Sequence, residues 1–249
     1  MHLLAQFLLR LAFGLAVGMG ITSSRQVTSG FFRNHLYVTL GLSTLAALTL
    51  AKLDSPAVWL AGSAAVLSFF GTAFWLYEAK RLGKATLWLV AACGLAAALV
   101  SQSTAVSHDP HTTWRAISIA TSGLVLGLVF TAMLLGHWYL NAPGMSLTPL
   151  RWLLAAAANA VVVQAILSGV GTATAWSTQT EISDAWWLFV ALRWSFGICG
   201  VLALLWMAWR TLEIPNTQSA TGILYVAVIG VFVGELMAAL LSAESAVPL

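Results

Sequence analysis

Three charged residues stand where charge is expensive: Arg10, Arg193 and Glu235 each fall inside a long apolar run. A charge in the middle of hydrocarbon costs roughly 2.5–3.5 kcal/mol on insertion scales, so such residues face a partner or a polar cavity. Arg193 and Glu235 belong to consecutive apolar runs and suit a buried ion pair. Arg10 has no carboxylate of its own, so it shares Glu235 or snorkels toward the headgroups. Gln6 and Gln164 add carboxamides within the same set of runs. If these side chains converge, guanidinium and amide donors form one polar pocket able to hold an anion or a quinone head group.

Two histidines could do different chemistry. His35 and His137 lie near the same ends of their runs, and two imidazoles facing across a helix bundle can hold a haem b iron axially. Their neighbours, Arg33-Asn34 and Trp138-Tyr139, equally suit an imidazole at a membrane boundary. A third cluster, His108, Asp109 and His111, has spacing compatible with a weak divalent metal site. Pro110 bends that segment and no further ligand is close in sequence, so a solvated loop competes with the metal.

Other chemistries have no signature. There is no GxGxxG or Walker loop, no HExxH and no GxSxG elbow. No Arg-rich voltage-sensor helix occurs either. Cys93 and Cys199 both sit in apolar runs, which gives neither a disulfide framework nor a CxxC pair. An enzyme acting on its own is therefore not expected.

The elements that must position these residues follow from composition. Of 249 residues, 60% are hydrophobic and 8% charged, against about 25% charged in a soluble domain. So little charge cannot cover a surface in water, and lipid must be the solvent. The net charge of +3 reflects basic loops at a membrane face and does not point to nucleic acid. The start, Met1-His2-Leu3-Leu4, lacks the basic head of a signal peptide, so the first run is read as a retained span.

A hydrocarbon core of about 30 Å needs about 20 apolar residues per helix. Eight runs qualify, over 3–22, 31–51, 56–77, 85–101, 116–140, 148–173, 185–209 and 219–242. They are apolar on all sides rather than alternating, which specifies an all-α integral membrane protein and not a barrel. Lys and Arg in the loops on one side number seven (Arg25, Arg33, Lys80, Arg81, Lys84, Arg151, Arg210), against two (Lys52, Arg115) on the other. The positive-inside rule then places both termini on the non-cytoplasmic side of the cell (inner) membrane. Eleven of the twelve tryptophans fall near a predicted helix end, and Trp194 alone sits deep. On this topology Arg10, Arg193 and Glu235 all lie about 10–12 Å below the outer surface.

A faint repeat divides the chain. Gly18 and Arg33 match Gly136 and Arg151 at an offset of 118, Gly71 and Arg81 match Gly200 and Arg210 at 129, and Ala85-Thr86 matches Ala220-Thr221 at 135. Two parallel four-helix units are expected, 1–110 and 111–249. Gly14-x-x-x-Gly18, Gly123-x-x-x-Gly127 and Gly230-x-x-x-Gly234 mark close helix packing within them.

Eight helices in two units of four resemble the polysulfide-reductase-type membrane anchors, in architecture alone and without a shared motif. That resemblance implies a membrane subunit that exchanges electrons with the quinone pool beside other membrane or peripheral subunits. Two alternatives remain. A small-molecule or ion transporter fits repeats and buried charge, although all six prolines lie in loops or at helix ends. A haem-binding membrane protein would use His35 and His137.

Overall fold

The structure is a computed structural model and describes residues 1–103, 112–142, 144–178, 184–214 and 216–244. Every regular element among them is helical. The helices are α1 (His2–Ile21), α2 (Ser29–Ala51), α3 (Val58–Leu76), α4 (Lys80–Ser103), α5 (Thr112–Asn141) and α6 (Thr148–Thr178). They are followed by α7 (Asp184–Glu213) and α8 (Thr217–Glu244). One helix forms at each apolar run. Seven of them, all but α2, are long and apolar enough to cross a membrane. At 23 residues α2 has the length, but Arg33, Asn34 and His35 at its head dilute its apolar content. The chain is a multi-pass, all-α membrane protein.

Several helices outrun the hydrocarbon. Lys80–Lys84, whose charges read as a loop, is already the first turn of α4, and α5 and α6 reach 30 and 31 residues. Charged side chains can leave the membrane while their backbone stays helical, because the helix satisfies its own amides in either medium. The α3–α4 connection is consequently only Tyr77–Ala79, closed by Glu78 at φ 56°.

The helices pack as two rings of four. In one, α1 touches α2 and α4, and α3 touches α2 and α4; in the other, α5 touches α6 and α8, and α7 touches α6 and α8. The rings meet along α1 and α5. A Cβ on Gly14 would stand 1.8 Å from the carbonyl oxygen of Gly123, and one on Gly127 would stand 1.8 Å from the carbonyl carbon of Gly14. Further along, Gly18 faces Thr131. Contacts that advance together in both helices mean that α1 and α5 run parallel. Two of the expected glycine motifs thus pack against each other. The third packs on α7, where Gly234 meets Gly197 and Gly230 meets the carbonyl oxygen of Phe196. The main core, with Leu15, Met19, Leu126, Val129, Leu153 and Leu205, lies along this seam and through the second ring.

Tryptophan placement is mixed. Trp59, Trp152, Trp176 and Trp206 are exposed, as boundary residues should be. Trp75 and Trp186 are buried instead, Trp75 stacking on Phe32 at 4.1 Å. Nearness to a helix end sets the depth of an indole and leaves open which way it faces.

At the basic end, Lys84 caps α1. Its Nζ donates to the carbonyl oxygens of Met19 at 3.2 Å, Gly20 at 2.6 Å and Thr22, and lies 5.3 Å from the centre of the Phe32 ring. These carbonyls have no partner further along the helix. Hydrogen bonds from a charged donor contribute about 1.5–3 kcal/mol. Lys84→Met is expected to lower stability by about 2 kcal/mol, measured by thermal unfolding in detergent, with Lys84→Arg closer to wild type.

Candidate functional site: a polar cavity at the amino-terminal end of the bundle

Inside α7 the residues Arg193–Gly200 form a π-helical stretch. Such a stretch widens the turn and is frequent at functional sites. It begins at Arg193, and its Gly197 lies against Gly234, which draws α7 and α8 together. Arg193 can therefore span the gap although it is only 1% exposed. Its Nη1 donates to the carbonyl oxygen of Gly234 at 2.9 Å and to Oε1 of Glu235 at 3.3 Å, and its Nε donates to Oγ of Ser168 on α6 at 3.1 Å. Nη2 has no partner.

The expected pair of Arg193 and Glu235 is formed, and it is buried. From it the polar chain continues into the first ring. Ser122 on α5 donates to Oε2 of Glu235. Nη1 of Arg10 donates to Oγ of Ser122 at 3.3 Å, and Nε of Arg10 donates to Oε1 of Gln6 at 3.3 Å. Nε2 of Gln6 donates to the carbonyl oxygen of Ala98 at 2.9 Å and to Oγ of Ser101 at 2.6 Å, both on α4. One hydrogen-bonded chain therefore runs through α4, α1, α5, α8, α7 and α6. It crosses between the rings at the α1–α5 seam, so Arg10 neither stands alone nor pairs directly with Glu235; it reaches the carboxylate through a serine.

Above the chain is a cavity of about 280 Å³. Gln6, Arg10, Ser122, Gln164 and Glu235 line it with polar groups, and Phe7 and Leu126 are among its apolar walls. Gln164 is 3% exposed, and its Oε1 has no hydrogen-bond partner. The cavity lies at the end of the bundle where α1 and α5 begin and α4 and α8 finish, since His2, Arg115, Gln102 and Ser242 also border it. Of the sequence-derived set, Arg10, Gln164 and Glu235 thus share one cavity, and Arg193 stands behind Glu235. Sequence reasoning missed Ser122, the residue that joins the two charges, and Ser168. The only available signal was Ser118-x-x-x-Ser122, two hydroxyls on one helical face following Arg115.

The histidines have different surroundings. His35 is buried, with Nδ1 2.6 Å from the carbonyl oxygen of Phe31 and its ring against Phe31 and Trp138. His137 is exposed, 3.4 Å from the hydroxyl of Tyr225. The hydrogen bond of His35 fixes one ring nitrogen and leaves Nε2 as the atom any iron would need. His108, Asp109 and His111 lie outside the described residues. Among the described residues no group of three or more His, Cys, Asp or Glu side chains could hold a metal ion. Cys93 and Cys199 are both free thiols. No protein-family model, curated protein or solved structure matches this chain.

Proposed function

We propose that the chain is the membrane subunit of a quinone-linked electron-transfer assembly, holding a quinone head group in the cavity beside Arg10, Gln164 and Glu235. The observation that carries this is a cavity of about 280 Å³ inside an apolar bundle, lined by a guanidinium with uncommitted N–H groups and by a buried carboxamide oxygen without a partner. Its size approaches the lower end of pockets that take small organic ligands, about 300 Å³, and suits one ring system. Quinone carbonyls accept from Arg10, a quinol hydroxyl can donate to Gln164 or Glu235, and Phe7 and Leu126 accommodate the ring faces.

In this proposal all eight helices cross the cytoplasmic membrane, in two parallel units of four, with both termini outside. Support comes from the cavity itself. The start of α1 and the end of α4 border it together, as expected if the four helices from α1 to α4, α2 included, all cross. The start of α5 and the end of α8 repeat that relation, and α1 runs parallel to α5. Short connections leave redox centres to be supplied by other membrane or peripheral subunits. Continuous helices favour this fixed scaffold over alternating access, because the π stretch in α7 widens the helix without unwinding it.

The test is purification in mild detergent, with identification of co-extracted quinone and proteins. It is followed by titration with 2-methyl-1,4-naphthoquinone. Co-extracted quinone and saturable binding near one equivalent are expected. A protein that emerges alone, free of quinone, and shows no saturable binding would rule the proposal out.

A further inference from the structure

Among the described residues the charges at the floor of the cavity do not balance; Arg115, which also borders it, has interactions of its own and is set aside. Arg10 and Arg193 are permanently protonated guanidinium groups. Among the described residues they share a single carboxylate, Glu235, directly from Arg193 and through Ser122 from Arg10. Arg193 sits behind Glu235 and holds its Oε1 at 3.3 Å, so the carboxylate is already matched. The positive charge left over is that of Arg10, whose side chain lines the cavity and whose remaining N–H groups have no partner among the described residues. Arg10 is half-buried; a charge partly withdrawn from water without a counter-charge is unfavourable, and the interaction that relieves it strengthens as water is excluded. Ser122 is only 1% exposed, so the polar floor is built into the helix packing and is not a patch of surface side chains.

We infer that the cavity selects a singly charged anionic oxygen head group, with Arg10 as its counter-ion. The inference rests on the quinone proposal only for the ring: there, an ionised hydroxyquinone is preferred to a neutral quinone of the same size. The underlying chemistry, a small oxyanion on an apolar body, is shared by free aromatic carboxylates and by anionic lipid headgroups.

The experiment uses the full chain in phosphatidylcholine nanodiscs, titrated near pH 7.5 with 2-hydroxy-1,4-naphthoquinone, which is ionised there, and with neutral 2-methyl-1,4-naphthoquinone. The anion is expected to bind at least about tenfold more tightly. Arg10→Gln should remove that preference and Arg10→Lys should keep most of it, which separates charge from folding. Equal or weaker binding of the anion to the wild-type protein would overturn the inference while leaving the quinone proposal standing. If neither naphthoquinone binds, the quinone proposal fails, and the inference is decided by thermal stabilisation. Protection by benzoate identifies a free carboxylate, and protection by phosphatidylglycerol in place of phosphatidylcholine identifies a headgroup. Each must disappear in Arg10→Gln. Absence of both effects overturns the inference as well.

Discussion

Replacing Gly127 by leucine is expected to abolish the folded protein, and replacing it by alanine to cost about 3 kcal/mol, the upper end of overpacking penalties. A Cβ at Gly127 would lie 1.8 Å from the carbonyl carbon and 2.2 Å from the Cα of Gly14. Both are main-chain atoms, so the clash cannot be relieved by turning a side chain; the two helices must separate. Separation would open the only extensive seam between the rings among the described residues and pull Ser122 away from Arg10. Dispersion between closely approached backbones is what holds helices together in lipid, where apolar burial contributes little. Gly222→Ala is the control. Nothing lies within 4 Å of a Cβ there, and alanine is favoured over glycine in a helix by about 1 kcal/mol. Thermal unfolding and size-exclusion profiles of detergent-purified variants measure the contrast. A Gly127→Ala protein as stable as Gly222→Ala would mean that the rings do not meet as described.

The second large effect is expected at Glu235. Glu235→Leu leaves Arg193 and Arg10 in the bundle with no carboxylate between them, and breaking a buried pair in this way costs about 3–5 kcal/mol. Most of the loss belongs to the stranded guanidinium of Arg193. Removing it too, as Arg193→Met with Glu235→Leu, is therefore expected to restore at least half of the lost stability, since an apolar replacement of a whole pair is often close to neutral. Full non-additivity in the double-mutant cycle is the signature of a pair. A double variant less stable than either single one would place the energy elsewhere, in the contacts of Arg193 with Ser168 and Gly234. Stability of the double variant is separable from binding, because its cavity would still contain Arg10 but would have lost the acceptor at Glu235.

What could be read directly from the chain was whatever depends on position along a helix. Length and apolarity specify where helices form, because a backbone in lipid must satisfy its own hydrogen bonds and a span must be long enough. All eight runs became helices for that reason. The cost of charge in hydrocarbon singled out Arg10, Arg193 and Glu235 before any neighbour was known. Similar depth then made the meeting of Arg193 and Glu235 an economical expectation, and the pair is formed.

What depends on rotation about a helix axis was not legible. In water, an apolar stripe tells which face points inward. In a membrane both the lipid side and the interior are apolar, and that contrast is weak. Trp75 and Trp152 lie near helix ends alike, yet one is buried against Phe32 and the other faces outward. His35 and His137 lie near corresponding ends of their apolar runs and have different surroundings. Ser122 is an ordinary hydroxyl in the sequence, and only the parallel contact of α1 with α5 makes it the link between Arg10 and Glu235. The π stretch was equally hidden, since Arg193–Gly200 reads as one more helical run until Gly197 is seen against Gly234. The chain by itself determined that a few expensive polar residues lie at one level of a helical membrane protein. The tertiary structure decided that they form one connected chain beside one cavity, because helix–helix contacts, and not hydropathy, set the rotation of each helix.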